Sequence, residues 1–281
     1  MPEPLALAAR SLSTSLPAFV MGIINATPDS FWRQSRAFST EDAVRTALKM
    51  EEDGADIIDI GGESTRPGAG YTDEGEEIRR VVPAVEAIRK RSRIAVSVDT
   101  RKLAVMKAAY EAGADILNDV SALEDDPALA DFAAQKKIPV ILMHKRGHPG
   151  AMQNNTVYAD AGSEVDSYLR SRAEFALSCG IAAGKIIVDP GIGFGKNLDA
   201  NIALIKNCGA FCGGQYPVLM ALSRKTCVGE MIGGNHPVLP DARLAGTLAA
   251  NILAVLYGAA IVRVHDVRET IDCLKTVKYL A

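Results

Sequence analysis

The chain has 281 residues, of which 48% are hydrophobic, and a formal net charge of −3 at pH 7. Barrels of alternating strands and helices commonly reach this length as one undivided domain. The small net charge and the lack of a long basic run argue against a nucleic-acid partner. No apolar run approaches the roughly 18 residues that a membrane-spanning helix needs. The first residues also lack the basic and apolar regions of a signal peptide.

The five cysteines are odd in number and widely spaced. Cys208 and Cys212 lie near each other, but no further Cys or His stands at zinc-ligand spacing. We therefore expect free thiols and a cytoplasmic protein, because thiols stay reduced in that compartment.

Short apolar segments alternate with helical patterns along most of the chain. Residues 1–17 are expected to form a weakly ordered lead-in, and residues 18–281 a single catalytic domain. The predicted strands are 18–24, 56–60, 94–98, 115–117, 139–143, 186–188, 218–222 and 260–264. The predicted helices are 40–53, one that follows the acidic residues at 73–77 and runs to 91, 102–112, 127–136, 160–179, 199–207, 241–257 and a last one to about 279. For the first helix, Thr40 is the expected N-cap and Gly54 lies just past the end.

Strands that alternate with helices run parallel, and eight of them close into a barrel. The sequence therefore predicts an α/β fold, a single (β/α)8 TIM barrel; an open doubly wound sheet is the alternative. A polar residue stands in or beside the end of each predicted strand. In a barrel all these ends open on one face, where barrel enzymes place their chemistry. The residues are Asn25, Asp59, Asp99, Asn118, His144, Asp189, Ser223 and His265.

The segment 185–196, KIIVDPGIGFGK, has the composition of a ligand floor. A β-branched run ends at Asp189, and Pro190 and three glycines follow, so a flat or phosphorylated ligand can approach the main chain. A tight strand-to-helix turn capped by Asp189 is the alternative. The glycine spacing fits neither the dinucleotide fingerprint nor the phosphate-binding loop.

Three strand-end residues, Asp99, Asn118 and Asp189, are expected to converge at the bottom of the barrel mouth. Two carboxylates and an amide suit the edge of a nitrogen-rich heterocycle. A metal site is the alternative, although Asn is a poor ligand for a transition metal. Each residue alone would also suit a strand-end cap, but that explanation fits three of them poorly.

Basic residues follow the last two predicted strands. In the SRKT segment, 223–226, Lys225 is placed to pair with Asp189 or to donate to a ligand; a solvated loop is the alternative. Arg263 and His265 share one side of a strand because side chains repeat every two residues. With Asn25 they form a donor cluster for phosphate, which barrels often bind after strands seven and eight. A charged Arg within a strand is costly unless it is paired.

Two polar loops, at 61–70 and 26–37, are candidates for covers over the mouth, and plain surface loops are the alternative. The motifs of the chain, which include parts of both loops, resemble those of the dihydropteroate synthase family from Met21 to Val267. The matching segments are MGIINATPDSF (21–31), DIGGESTRPGA (59–69), SVDTRK (97–102), NDVSA (118–122), MHKRGHPGAMQ (143–153), DPGIGFGK (189–196), SRK (223–225) and RVHDV (263–267).

The resemblance implies a transferase of folate biosynthesis that joins para-aminobenzoate to hydroxymethyl-dihydropterin diphosphate and releases pyrophosphate. It also implies Mg²⁺ as cofactor, a homodimer and a sulfonamide target. The residues that it assigns to the pterin are Asp99, Asn118, Asp189 and Lys225, with Met143 and Phe194 packing nearby. Those assigned to the diphosphate and Mg²⁺ are Asn25, Arg263 and His265, with Asn25 as the metal ligand.

The aminobenzoate pocket is the third part of the implied site. The resemblance borders it with Thr65, Pro67, Phe194, Ser223 and Lys225, and Thr226 stands where the family often has Ser. It places Asp29 and Arg66 on the two loops over the substrates. The chain departs from the family at 32–36, WRQSR, where Ser-Asp-Gly-Gly is common. A folate-dependent methyltransferase and a non-catalytic pterin-binding protein are the competing functions, and neither needs the full set of motifs.

Overall fold

The structure is a computed structural model that describes residues 1–26, 39–64, 70, 72–147, 155–234 and 236–280. An antiparallel hairpin of β1 (Leu5–Ala6) and β2 (Ser11–Leu12) precedes a sheet of eight parallel strands. The eight strands are β3 (Phe19–Asn25), β4 (Ile57–Gly61), β5 (Ala95–Asp99), β6 (Ile116–Asp119), β7 (Val140–Met143), β8 (Ile186–Asp189), β9 (Leu219–Met220) and β10 (Ile261–Val264). Their order is β8-β7-β6-β5-β4-β3-β10-β9, and a bridge between Val188 and Val218 joins the two ends. The predicted eight-stranded barrel is confirmed.

Helices connect the strands on the outside of the barrel. They are α1 (Thr40–Glu52), α2 (Glu74–Arg89), α3 (Leu103–Glu111), α4 (Ala128–Lys136), α5 (Ala161–Ser178), α6 (Leu198–Lys206), α7 (Thr226–Gly233), α8 (Leu244–Leu256) and α9 (Val267–Leu280). Side-chain caps begin several of them; the Asp73 carboxylate, for example, accepts from the Gly75 N–H at 2.9 Å. In the described parts of the chain no helix is both long and apolar enough to cross a membrane.

Two layers of apolar side chains hold the barrel together. One fills its interior and includes Phe19, Ile57, Ile116, Ile187 and Ile261. The other lies between the strands and the helices. Because side chains alternate along a strand, the positions two residues beyond the interior layer also point inward. At those positions the sequence changes from apolar to polar, at Asp59, Ser97, Asn118, Asp189 and Arg263. The polar residues therefore share the carboxyl end of the barrel interior.

The structure differs from the sequence-based predictions at several places. Within residues 1–17, which were predicted as a lead-in, Leu5–Ala6 and Ser11–Leu12 form the β1–β2 hairpin, and Leu5 and Leu7 are buried against the interior layer. Ser39, rather than Thr40, caps α1, and its hydroxyl accepts from the Asp42 N–H at 3.1 Å. Helix α7 was not predicted, since its two glycines weaken the helical pattern.

Candidate active site

Strand register aligns the ends of four neighbouring strands. Asn25 pairs with Gly61, Gly61 with Asp99, and Asp99 with Asn118. Gly61 has no side chain, so Asp99 and Asn118 share the mouth with Asn25 across a gap. The pairing of the sheet therefore places Asp99 beside Asn118, two of the three residues that were predicted to converge.

The guanidinium of Arg263 links two carboxylates on the floor of the mouth. Its Nε donates to Asp59 Oδ2 at 2.7 Å, and its Nη2 donates to Asp99 Oδ2 at 3.0 Å. Nη2 also forms an ion pair with Asp59 Oδ2 at 2.6 Å. Asn118 Nδ2 donates to the same Asp59 oxygen at 3.2 Å. Asp59 is fully buried, and the charge of Arg263 compensates for its burial. An Arg inside a strand is thus paired, as its cost in a buried position requires.

Burial and opposite charges compete at the two carboxylates assigned to the pterin. Burial raises the pKa of Asp99, and the Arg263 guanidinium opposes this rise. Burial also raises the pKa of Asp189, and the charge of Lys225 is the largest opposing influence. Burial lowers the pKa of Lys225 itself to about 8, against the attraction of Asp189. Perturbed groups that face one another in a cleft are typical of a functional site.

Asp189 begins a tight turn in which the backbone comes very close to its neighbour. Its Oδ1 accepts from the Gly191 N–H at 2.7 Å. Gly191 has φ +67°, and a Cβ at this position would lie 1.8 Å from the His144 carbonyl oxygen. Only glycine fits such a turn. Asp189 therefore caps the turn, and the charge of Lys225 acts on its carboxylate, opposing the rise of its pKa.

A buried lysine holds this turn from below. Lys196 Nζ donates to the carbonyl oxygens of Gly191 at 2.9 Å and Phe194 at 3.1 Å, and to His144 Nδ1 at 2.8 Å. The His144 ring packs edge-on against Tyr168 of α5. Burial lowers the pKa of His144 to about 3, so the ring is neutral and accepts. His144, a polar strand-end residue in the sequence, thus supports the turn from the helix side of the barrel.

The basic segment after β9 contacts both sides of the mouth. Lys225 Nζ donates to the Ile192 carbonyl at 2.5 Å and lies 4.9 Å from the centre of the Phe194 ring. The Ser223 hydroxyl lies 2.9 Å from His265 Nδ1 and accepts from the His265 N–H at 3.2 Å. Lys225 therefore packs against Phe194, and Ser223 contacts His265. Thr226 is exposed at the start of α7.

Some residues of the predicted site are not part of the described structure. Asp29, Thr65, Arg66 and Pro67 lie outside the described residues. Met143, at the end of β7, pairs in register with Asp189 and is buried.

The Glu63 carboxylate is a structural feature of the mouth that the sequence did not indicate. It accepts from the Thr72 N–H at 2.7 Å, from Lys102 Nζ at 2.7 Å and from Arg101 Nε at 2.8 Å. These bonds join the end of β4 to the start of α2 and to the segment after β5, and so fix the backbone on both sides of residues 65–69.

Three further residues of the site were missed as functional residues. Asp59 was noted only as a strand-end residue, yet it accepts from both Arg263 and Asn118. Lys196 and Arg224 were read only as parts of motifs. Asp59 alone had a signal that would have identified it, because it occupies the same inward strand position as the other polar residues. The partners of Lys196 and Arg224 lie 52 and 42 residues away in sequence.

Comparison with known proteins agrees with this geometry. The family model described as pterin binding enzyme matches residues 21–265. A dihydropteroate synthase of Haemophilus influenzae is 44% identical over 266 residues, which are 95% of this chain and 94% of that protein.

The chain belongs to the dihydropteroate synthase family.

Two solved structures of this family illustrate the likeness. A dihydropteroate synthase of Xanthomonas albilineans with 4-aminobenzoic acid has a TM-score of 0.90 and 41% identity, covering 100% of this chain and 98% of that chain. The same organism's enzyme in complex with 7,8-dihydropteroate has a TM-score of 0.86 and 38% identity, covering 99% and 98%. The dihydropteroate synthase fold and the motifs of this chain therefore agree over nearly its full length.

The donor set of the mouth also bears on the predicted Mg²⁺. Within the described ranges, no group of three or more His, Cys, Asp or Glu side chains is arranged to hold a metal ion. Mg²⁺ usually keeps several waters and takes substrate phosphates with one or two protein oxygens. An amide oxygen at Asn25 fits that kind of site, in which the substrate supplies most of the ligands.

Proposed function

We infer that this chain condenses para-aminobenzoate with 6-hydroxymethyl-7,8-dihydropterin diphosphate to give 7,8-dihydropteroate and pyrophosphate. It is a transferase of the pterinylmethyl group. The observation that carries this inference is a network of hydrogen bonds at the barrel mouth, in a chain of the dihydropteroate synthase family. The network joins Asp59, Asp99, Asn118 and Arg263.

The floor complements the polar edge of a 2-amino-4-oxo pterin. Such a ring presents N–H donors beside a carbonyl and a ring-nitrogen acceptor. Carboxylates at Asp99 and Asp189 accept, the Asn118 amide does both, and the Lys225 ammonium donates. The Arg263–Asp59 pair fixes Asp99 and Asn118 from behind, so these groups are ordered before the ligand arrives.

The aromatic amine approaches from the side of the basic segment. Phe194 and Lys225 are packed together there, and Ser223 and Thr226 flank Lys225 in sequence. We assign Thr65, Arg66 and Pro67 to the same pocket, and Asp29 to the other loop over the substrates, on the strength of the family motifs. The Xanthomonas albilineans enzyme solved with 4-aminobenzoic acid supports an aminobenzoate pocket in this fold.

The diphosphate belongs on the side of β3 and β10. His265, held by the Ser223 hydroxyl, and the charge of Arg263 oppose the negative charge of the leaving group. Asn25 would hold Mg²⁺ together with the diphosphate oxygens. When bound, the metal would neutralise charge on the departing pyrophosphate.

The chemistry requires positioning more than proton transfer. The bond between the pterin methylene carbon and the diphosphate oxygen breaks, and the pyrophosphate keeps the electron pair. The electron-rich pterin carries the positive charge on its methylene until the amine nitrogen bonds to it and releases a proton to solvent. An aromatic amine is already uncharged at neutral pH, so no strong general base is needed. The site accordingly relies on orientation and electrostatic stabilisation.

Pyrophosphate release measures this activity directly. The purified chain is mixed with the pterin diphosphate, para-aminobenzoate and Mg²⁺, and each component is then left out in turn. We expect release only in the complete mixture, and a loss of at least about 100-fold in kcat/KM for Asp189→Asn, because an amide cannot replace a carboxylate that accepts from the pterin. Asp131→Asn, at an exposed position of α4, is the matched control. Pterin binding without pyrophosphate release would indicate a non-catalytic pterin-binding protein.

We also propose a homodimer, a cytoplasmic location and inhibition by sulfonamides, which resemble para-aminobenzoate. Helix α8 buries Ala250 and Ala254 against the barrel and exposes Leu253 and Leu256 at 47% and 55%. An exposed apolar face of this kind suits a second copy of the chain. Light scattering of the wild type and of Leu253→Lys tests the dimer, and a monomeric wild type would contradict it.

A further inference from the structure

The loops that follow β9 and β10 are joined by a buried ion pair that the proposed reaction does not use directly. Arg224 Nε and Nη2 donate to the two carboxylate oxygens of Asp266 at 2.8 and 2.7 Å. Side-chain exposure is only 6% for Arg224 and 10% for Asp266. A forked arginine–carboxylate pair of this kind fixes both distance and orientation.

Each partner of this pair stands next to residues of the proposed site. Arg224 lies between Ser223 and Lys225, and Asp266 directly follows His265. Ser223 and His265 are themselves hydrogen-bonded, at 2.9 Å between Oγ and Nδ1. The two loops are therefore tied at consecutive positions, once inside the mouth and once behind it.

The backbone of Arg224 is held in an unusual conformation. Its φ is +56°, in the left-handed region that residues other than glycine rarely adopt. The Arg224 N–H donates to Thr247 Oγ1 at 3.0 Å, and its carbonyl accepts from Arg243 Nη1 at 2.9 Å. Such a conformation persists only where the surroundings hold it, and it is concentrated at functional sites. Here it turns Arg224 toward Asp266 while both of its neighbours contact the mouth.

We propose that Arg224 and Asp266 act together as a positioning clamp, which sets Lys225, on the pterin side, at a fixed distance from His265, on the diphosphate side. This rests on the proposed function. The departing diphosphate and the ring that it leaves must be held at the same time, and small displacements between the groups that hold them slow such a reaction strongly. The clamp fixes the distance between Lys225 and His265 from behind the site and does not itself touch the substrate.

The clamp predicts a kinetic effect in a protein that is still folded. Arg224→Lys keeps the charge but loses the fork, and Asp266→Asn keeps the shape but loses the charge. Each is expected to lower kcat/KM for the pterin diphosphate about 30-fold or more and to weaken inhibition by pyrophosphate at least about fivefold. Because the two residues act as a unit, kcat/KM of the double variant should be no more than about threefold below that of the less active single variant.

Arg224→Gly separates the clamp from the backbone conformation. Glycine adopts a positive φ without strain, so this variant keeps the turn and loses only the side chain. It is expected to fold even where the other variants do not, and to show the same kinetic loss. The exposed pair of Arg268 and Asp272 in α9 is the matched control. Arg268→Lys and Asp272→Asn should remain within about twofold of the wild type.

All variants are assayed as full chains, at a temperature well below their unfolding midpoints. The clamp is supported if both single variants lose catalytic efficiency and pyrophosphate inhibition, and if the loss in the double variant is smaller than the product of the two single losses. Folded variants with normal values of both, including Arg224→Gly, or losses that do multiply, would overturn it. A lowered unfolding midpoint with normal kinetics would mean a purely structural pair. A wild type that releases no pyrophosphate would instead overturn the proposed function.

Discussion

Replacing Asp59 by asparagine should weaken both the fold and the reaction. Asp59 is fully buried, and its Oδ2 accepts hydrogen bonds from Arg263 Nε and Asn118 Nδ2 and forms an ion pair with Arg263 Nη2. Its Oδ1 is buried without a hydrogen-bond partner among the residues that the structure describes. An amide of the same shape removes the negative charge that balances Arg263. If its oxygen takes the place of Oδ2, its NH2 group takes the place of Oδ1 and is buried without an acceptor.

The size of the effect on stability follows from what Arg263 retains. Breaking a buried ion pair costs about 3 to 5 kcal/mol. Arg263 Nη2 still donates to Asp99 at 3.0 Å, and the new amide oxygen can still accept, so the cost is smaller. We expect the free energy of unfolding to fall by about 2 to 3 kcal/mol. For a chain of this length, that lowers the midpoint of thermal unfolding by about 3 to 5 °C.

The effect on turnover follows from the loss of order on the floor. Asn118 and Arg263 then share one neutral amide oxygen in place of a carboxylate, and among the described residues Asp99 is left as the only carboxylate paired with Arg263. We expect kcat/KM for the pterin diphosphate to fall by about 10- to 100-fold, corresponding to about 1.4 to 2.7 kcal/mol.

Thermal unfolding and steady-state kinetics with the pterin diphosphate measure the two effects of Asp59→Asn. Asp115→Asn is the matched control, because Asp115 also pairs with an arginine, Arg89, at 2.7 Å, but stands before β6, at the opposite end of the barrel. The control should lose stability and keep kcat/KM within about twofold. The reasoning is refuted if Asp59→Asn keeps normal kcat/KM, or if the control loses as much activity.

Three further predictions concern single residues at or near the mouth. Burial lowers the pKa of Lys225 to about 8, so its positive charge, and the electrostatic stabilisation that it gives, is lost as the pH rises through about 8, and kcat/KM should fall there. Lys225→Arg should remove that alkaline limb, and its persistence would exclude Lys225 as its source. Gly191→Ala should cost about 3 kcal/mol, because its Cβ meets the His144 carbonyl; Gly184→Ala, with open space around it, should cost little, and equal urea midpoints would contradict this. Lys196→Met should cost about 3 kcal/mol by leaving buried acceptors unpaired, and an unchanged melting midpoint would show that the lysine does not hold the turn.

The features that the sequence predicted depend on local periodicity. A short β-branched run such as 186–188 is readable as a buried strand, and the residue that ends it then points into the mouth. That logic placed Asp99, Asn118 and Asp189 at the carboxyl ends of their strands, where the structure has them. Their convergence on one ligand stays a prediction. The same logic also explains the wrong N-cap of α1, because Ser39 and Thr40 are adjacent hydroxyl residues and only geometry separates them.

The features that it did not predict depend on contacts across the chain. Nothing near Lys196 indicates His144 as its partner, and nothing near Arg224 indicates Asp266, because each pairing is set by loops that meet only in the closed barrel. The hairpin of residues 5–12 was missed for the same reason. Its strands are two residues each, too short for a pattern, and their burial comes from the barrel interior.

Side chains from separate strands are proposed to hold one bicyclic ring, and direct titration with the pterin tests this without turnover. Calorimetry with 6-hydroxymethyl-7,8-dihydropterin, which lacks the diphosphate, compares the wild type with Asp99→Asn, Asp189→Asn and the exposed control Asp131→Asn. We expect the control to bind like the wild type and each of the other two to bind at least about tenfold more weakly, a loss of about 1.4 kcal/mol or more. Equal affinity in all four proteins would show that Asp99 and Asp189 do not hold the pterin.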